Sequence, residues 1–205
     1  LAAAAGLFGA SPLGWAQDAW KPSGPVRMVV PYVPGGTIDI LIRIIGPQLS
    51  ERLGQPVVIE NRAGASGAIG SGYVYNAPPD GQTLLVGVSD PLTIYPHLAK
   101  VNYDPTKFVP VASMGSGPMV LLTRPGLAVN NAAEFIAQAR GKTLNYGNAG
   151  VGGSIHMATL ALGRTVGIDK MVHIPYQGMT PAIQAAMGDQ VDAVFPVAGG
   201  VTQYK

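Results

Sequence analysis

The sequence contains no cysteine in 205 residues. That removes disulfides, thiolate catalysis, lipid attachment through cysteine and cysteine-based zinc sites together. Charge is also scarce: Asp, Glu, Lys and Arg make up 12% of the chain with a formal balance of +2, and no basic run occurs. Nucleic acid is therefore not an expected partner. Past Gln17 no apolar stretch reaches the roughly 18 to 20 residues that a membrane-crossing helix needs. His97, His156 and His173 are too scattered for metal-ligand spacing, so no metal is expected. The glycines never fall in G-x-G-x-x-G order, and no Gly-Lys-Ser/Thr phosphate loop exists, so no nucleotide cofactor is expected either.

What is abundant is glycine and proline, 28 and 18 residues. They are dispersed at the ends of apolar segments without a period, as many tight turns between strands and helices require. The opening run LAAAAGLFGASPLGWAQ is apolar and Ala-rich, and its Gly14-Trp15-Ala16 places small residues where a signal peptidase reads. We expect residues 1–17 to be the remnant of a cleavable export signal, entered part-way, with the mature protein starting near Gln17.

From Val26 one rhythm repeats: a short β-branched run, a Gly-rich turn, then apolar residues at helical spacing. That is the pattern of βαβ units and a parallel sheet. Strands are expected at 26–31, 56–60, 83–88, 109–114, 119–123, 143–147, 171–175 and 191–195. Crossover helices are expected at 38–53, 67–76, 131–140, 154–167 and 179–187. The flexible stretch Gly115-Ser116-Gly117-Pro118 separates two expected lobes, 18–117 and 118–205. The second lobe is expected to be incomplete, because the chain stops just after a strand that a parallel sheet would cover on both faces.

Two strand-to-helix turns carry the chemistry. In Pro34-Gly35-Gly36-Thr37-Ile38-Asp39, two glycines admit a ligand close to the backbone, and the helix N-terminus favours an anion. Thr37 can cap the helix or meet the ligand, and Asp39 either caps the first turn or lines the site. The second turn, Tyr146 to Ser154, packs four glycines with Asn148 and Ser154, which also suits a small anion. Tyr176, opening the turn before the last helix, offers a ring and a hydroxyl or simply packs. Ser89, with Asp90 and Thr93, is a further candidate from the first lobe, whereas Asn61-Arg62 reads as structural. Ser154 raises a rival reading, an α/β serine hydrolase, because an elbow serine sits at such a turn. His156, however, stands where the elbow needs glycine, and helix capping is the simpler role.

At these residues the sequence resembles the Bug family, the solute-binding receptors of tripartite tricarboxylate transporters. The resemblance rests on VRMVVPYVPGGTIDILIR, LSERLGQPVVIENRAGASGAIG, PPDGQTLLVG, YDPTKFVPVASM, LNYGNAGVGGSIHMA and HIPYQGMTPAIQAAMGDQVDAVF. It implies a two-lobed periplasmic binding fold of type II-like α/β architecture with mostly parallel sheets. It also implies a periplasmic, monomeric, non-enzymatic protein that passes a small carboxylate to membrane transporter subunits. The ligand residues it implies are Gly35, Gly36, Thr37 and Asp39 on one side and Asn148, Gly150, Gly153 and Ser154 on the other. Ser89 and Tyr176 are added from the turns themselves. Ile38, Gln177 and Pro196-Val197 depart from the family pattern; they are expected to strip polar groups from the crevice and to favour a less polar carboxylate.

Overall fold

The computed structural model describes residues 20–201, so the expected signal remnant lies outside the described residues. The first half is built on β1 (Val26–Val30), α1 (Thr37–Leu53), β2 (Val57–Asn61), α2 (Ala68–Tyr75) and β3 (Thr83–Leu85). The strands form an all-parallel sheet in the order β2-β1-β3. Valine dominates β1 because the central strand is covered on both faces: Val26, Val29 and Val30 are fully buried. Burial of each such side chain contributes about 1.5 to 3 kcal/mol. Helix α1 packs Ile42 onto this core and stops at Gly54, whose left-handed φ of 65° ends the helix without a Cβ penalty.

The short helix α3 (Asp90–Thr93) follows β3, and the chain then runs through two 3-10 turns to a second sheet. Its elements are β4 (Leu122–Thr123), α4 (Ala132–Ala139), β5 (Leu144–Asn148), α5 (Ser154–Thr165), β6 (Met171–Pro175), α6 (Met179–Met187) and β7 (Ala193–Val194). The order is β4-β7-β5-β6, parallel except for the antiparallel edge strand β4. Tyr146, His173 and Ala193 share a register and point toward α4 and α5, while Val194 points toward α6. The start of α4 shows why local sequence suffices there: Asn131 accepts the Glu134 N–H, and Glu134 accepts in return from Asn130 and Asn131.

The five expected crossover helices form, with ends shifted by a residue or two, and β6 and α6 have the expected bounds. The strand expected at 109–114 does not form. The segment has no regular secondary structure and pairs with no described strand, and Val109 and Val111 are 83% and 78% exposed. A strand exists only if a neighbour takes its N–H and C=O groups, which β-branched composition cannot guarantee. The expected strands 83–88, 119–123 and 191–195 shorten to β3, β4 and β7.

Candidate functional site

The first glycine turn leaves β1 and enters α1. Gly35 has φ 81°, which a side chain would disfavour, and Gly36 caps α1 at φ −77°, ψ 166°. Asp39, 3% exposed, fixes the turn from inside. Its Oδ2 accepts from the Gly35 N–H and from Arg43 Nε, each at 2.9 Å, and its Oδ1 accepts from Asn61 Nδ2 at 2.9 Å. Asn61 also donates to the Tyr32 carbonyl and accepts from Arg43. Burial pushes the Asp39 carboxyl up, but hydrogen bonds from Arg43, Gly35 and Asn61 outweigh it and hold the group below the usual carboxylate range. Both Asp39 oxygens are occupied by the protein itself, so Asp39 shapes the turn. The N–H groups of the first turn of α1 have no helical carbonyl to meet and are the donors that remain.

The second turn, between β5 and α5, repeats this backbone. Gly152 has φ 81° and Gly153 caps α5 at φ −76°, ψ 165°. The Gly152 N–H donates to His156 Nδ1 at 2.9 Å, so the imidazole is neutral with its proton on Nε2. Beneath the turn, His156 stacks on His173 with ring centroids 4.0 Å apart, and His173 stacks on Tyr146 at 5.2 Å. Burial lowers both imidazoles; with the neighbouring His156 adding to it, His173 is held down to about 4. The Asn148 amide nitrogen, the Tyr146 hydroxyl and His173 Nε2 are buried without a protein partner, and such groups normally meet water or a ligand.

Both turns lie on the seam between the two sheets. A Cβ placed on Gly178 would sit 2.7 Å from Val33, and one on Gly200 would run into Thr37, so the first turn abuts the second sheet's loops. Ser66 Oγ donates to the Val151 carbonyl at 2.7 Å. Asp90 Oδ2 accepts from both the Ser154 N–H, at 2.8 Å, and Ser154 Oγ, at 3.0 Å.

The expected site residues are therefore distributed as follows. Gly35, Gly36 and Thr37 open α1; Gly150, Gly153 and Ser154 form the second turn; Asn148 ends β5 beneath it. The Tyr176 N–H donates to the Asn148 carbonyl, and its ring closes over Gly147, where a Cβ would lie 3.2 Å away. Ser89 is exposed, and its neighbour Asp90 makes the contact instead. Ile38 packs on the first core and Pro196 is fully buried, so of these departures the exposed Gln177 and the partly exposed Val197 bear on solvent-facing polarity. As for the hydrolase, the Ser154 hydroxyl donates to a carboxylate while His156 is engaged by Gly152. Ser66 was missed altogether; its φ of 51° beside Ala65 at 46° is a strain that composition does not show.

An open groove of about 830 Å³ lies elsewhere, lined by Arg27, Arg62, Tyr73 and Asn76 among others. Its arginines are spent: Arg62 pairs with Glu60 and stacks over Tyr73 at 3.6 Å, while Arg27 meets Glu60 and the Tyr73 hydroxyl. At the seam, by contrast, each glycine turn lies against the other half of the molecule and the Asn148 amide nitrogen is buried without a partner.

Residues 41–203 match the family described as tripartite tricarboxylate transporter family receptor. A UPF0065 protein of Bordetella pertussis is 36% identical over 178 residues, covering 85% of this chain and 54% of that protein. Rpa4515 of R. palustris, solved with adipate, superposes with a TM-score of 0.83 at 31% identity, covering 89% of this chain and 62% of that one. MatC of Rhodopseudomonas palustris, solved with bound malate, gives 0.74 at 33% identity over 86% and 61% of the two chains. The chain thus spans about half the length of the curated relatives it matches. The α/β periplasmic binding fold expected from the sequence is the one found.

Proposed function

Because the chain belongs to the tripartite tricarboxylate transporter receptor family, we propose that it forms the ligand-gripping part of a periplasmic receptor. In this reading a small carboxylate is captured between two lobes and passed to membrane transporter subunits. The two sheets are the lobes, and the exposed segment 109–119 is the crossing between them.

The observation that carries the reading is the matched pair of Gly-Gly caps, at Gly35-Gly36 and Gly152-Gly153, brought to one seam. The first-turn N–H groups of α1 and the Thr37 hydroxyl would hold a carboxylate, aided by the helix dipole. Asp39, Arg43 and Asn61 would keep that turn in its binding shape before the ligand arrives, which lowers the ordering cost of binding. The Asn148 amide would donate from below, directly or through water. Gly150, Gly153, Ser154 and Tyr176 would wall the opposite side. That adipate and malate occupy two of the similar structures supports a carboxylate as the ligand class.

A calorimetric and thermal-shift screen of the full-length protein against mono-, di- and tricarboxylates tests the proposal, since a ligand bound only to the native state raises its stability. Binding of a carboxylate that is lost in Thr37→Val and in Asn148→Leu supports it. Silence across the whole panel ends it.

A further inference from the structure

We propose that Asp90 is a specificity-determining residue, an internal carboxylate that holds the anion position at the N-terminus of α5 and excludes a second ligand carboxylate from it. The inference rests on the receptor reading above and refines its ligand class. The second glycine turn has the backbone of the first, yet two of its donors are already taken. Ser154 offers an N–H and a hydroxyl, and both go to the same Asp90 oxygen. A Cβ on Gly153 would sit 2.9 Å from that oxygen, so nothing fits between the turn and the carboxylate. Asp90 is 8% exposed, and among the described residues no Lys, Arg or His pairs with it. The second turn itself contains no Lys or Arg, and Gln177 beyond it is neutral.

The surroundings keep this charge where it is. Pro91 follows at the first turn of α3, and its carbonyl is held by the Tyr103 hydroxyl, so the segment carrying Asp90 is anchored from behind. Burial, with the nearby Asp90 carboxylate adding to it, pushes the Tyr32 phenol well above its usual range, so this hydroxyl remains a neutral donor beside Asp90. A dicarboxylate spanning the seam would bring its far end against an uncompensated negative charge. A ligand with one carboxylate at α1 and a hydrogen-bond donor at its far end would instead give Asp90 a partner. The predicted ligand is therefore an acid whose other end is an amide, hydroxyl or ammonium group.

The test is calorimetry on the full-length protein with succinate, adipate and terephthalate, each beside its monoamide. The wild type should prefer the monoamide of at least one pair by about tenfold or more. Asp90→Asn and Asp90→Ser should shift that preference toward the diacid by a similar factor. A wild type that binds every diacid as tightly as its monoamide overturns the proposal, and that result needs no variant to fold. Unchanged preference in both variants overturns it as well, while leaving the carboxylate reading intact. If no member of any pair binds the wild type, the acid that binds in the wider carboxylate panel is compared with its monoamide in the same way, and silence across that whole panel ends the carboxylate reading and this proposal with it.

Discussion

Asp39 and His156 occupy equivalent places in the two glycine turns. Each accepts the N–H of a glycine four residues earlier at 2.9 Å, Gly35 onto the carboxylate and Gly152 onto Nδ1. The sequences Gly35-Gly36-Thr37-Ile38-Asp39 and Gly152-Gly153-Ser154-Ile155-His156 thus build one device with two acceptors of different chemistry. The first is a charged clamp tied to Arg43. The second is a neutral ring that titrates.

The clamp gives the first prediction. Asp39→Ala leaves the Gly35 N–H and the Asn61 amide without their acceptor and removes the partner of Arg43, whose side chain is half exposed and can turn to water. Losing a buried, multiply bonded carboxylate with one solvated partner should cost about 2 to 3 kcal/mol. Denaturant unfolding measures it, and a loss below about 0.5 kcal/mol would show that the turn holds its shape without Asp39.

The second prediction is a pH dependence. The unfolded chain binds protons on His156 and His173 near the ordinary value of 6.5, whereas the folded state holds both lower, His173 at about 4. The unfolded state therefore carries more protons in this window, and stability falls as pH drops from 6.5 toward about 4. Asp39, Asp80, Asp104 and Glu134, held below ordinary values of 3.8 and 4.5, begin to lose their contributions only as pH falls to those ordinary values, below the range of the test. Thermal midpoints of wild type and His173→Phe between about pH 7 and about pH 5 should diverge, with the variant flatter. Parallel curves would assign the acid sensitivity to other groups.

A third prediction uses the matched backbones. Gly36 and Gly153 share their φ and ψ within a degree, but a Cβ on Gly36 finds nothing nearer than 3.8 Å, whereas one on Gly153 meets Asp90 at 2.9 Å. Both alanine variants lose a glycine cap to a similar small extent. Gly153→Ala should be worse than Gly36→Ala by about 1 kcal/mol, the scale of the Asp90 hydrogen bonds it displaces. The gap should vanish when both are made in Asp90→Ser; a gap that survives would have another origin.

The sequence made the helices legible because their signals are local: capping residues such as Asn131 and Glu134, apolar spacing, and a closing Gly54. It made both glycine turns legible for the same reason. The strand expected at 109–114 failed because pairing depends on a neighbour that composition does not reveal. Ser66 and the role of Asp90 were hidden because both act across the seam, on Val151 and Ser154 far along the chain. The equivalence of Asp39 and His156 was hidden by chemistry, since a carboxylate and an imidazole share only the ability to accept one N–H.

The last prediction concerns how the ligand charge is met. Neither glycine turn contains Lys or Arg, and Arg43, which reaches the first turn through Asp39, is already bonded to Asp39 and Asn61. A carboxylate held at α1 is then balanced by N–H groups, a hydroxyl, an amide and the helix dipole, all fixed in place. Fixed dipoles in a partly buried seam are screened far less than pairs of mobile surface charges, for which the Debye length shrinks from about 10 Å at 0.1 M to about 3 Å at 1 M salt. Affinity for the carboxylate found in the screen should therefore change by no more than about threefold across that range. The competing location is the groove holding Arg27 and Arg62, where two guanidinium groups are half in solvent. A site there would weaken steeply with salt and would be damaged by Arg27→Gln, which should leave seam binding untouched. Salt titrations of wild type and Arg27→Gln therefore separate the two locations: a steep slope that flattens in the variant moves the ligand out of the seam.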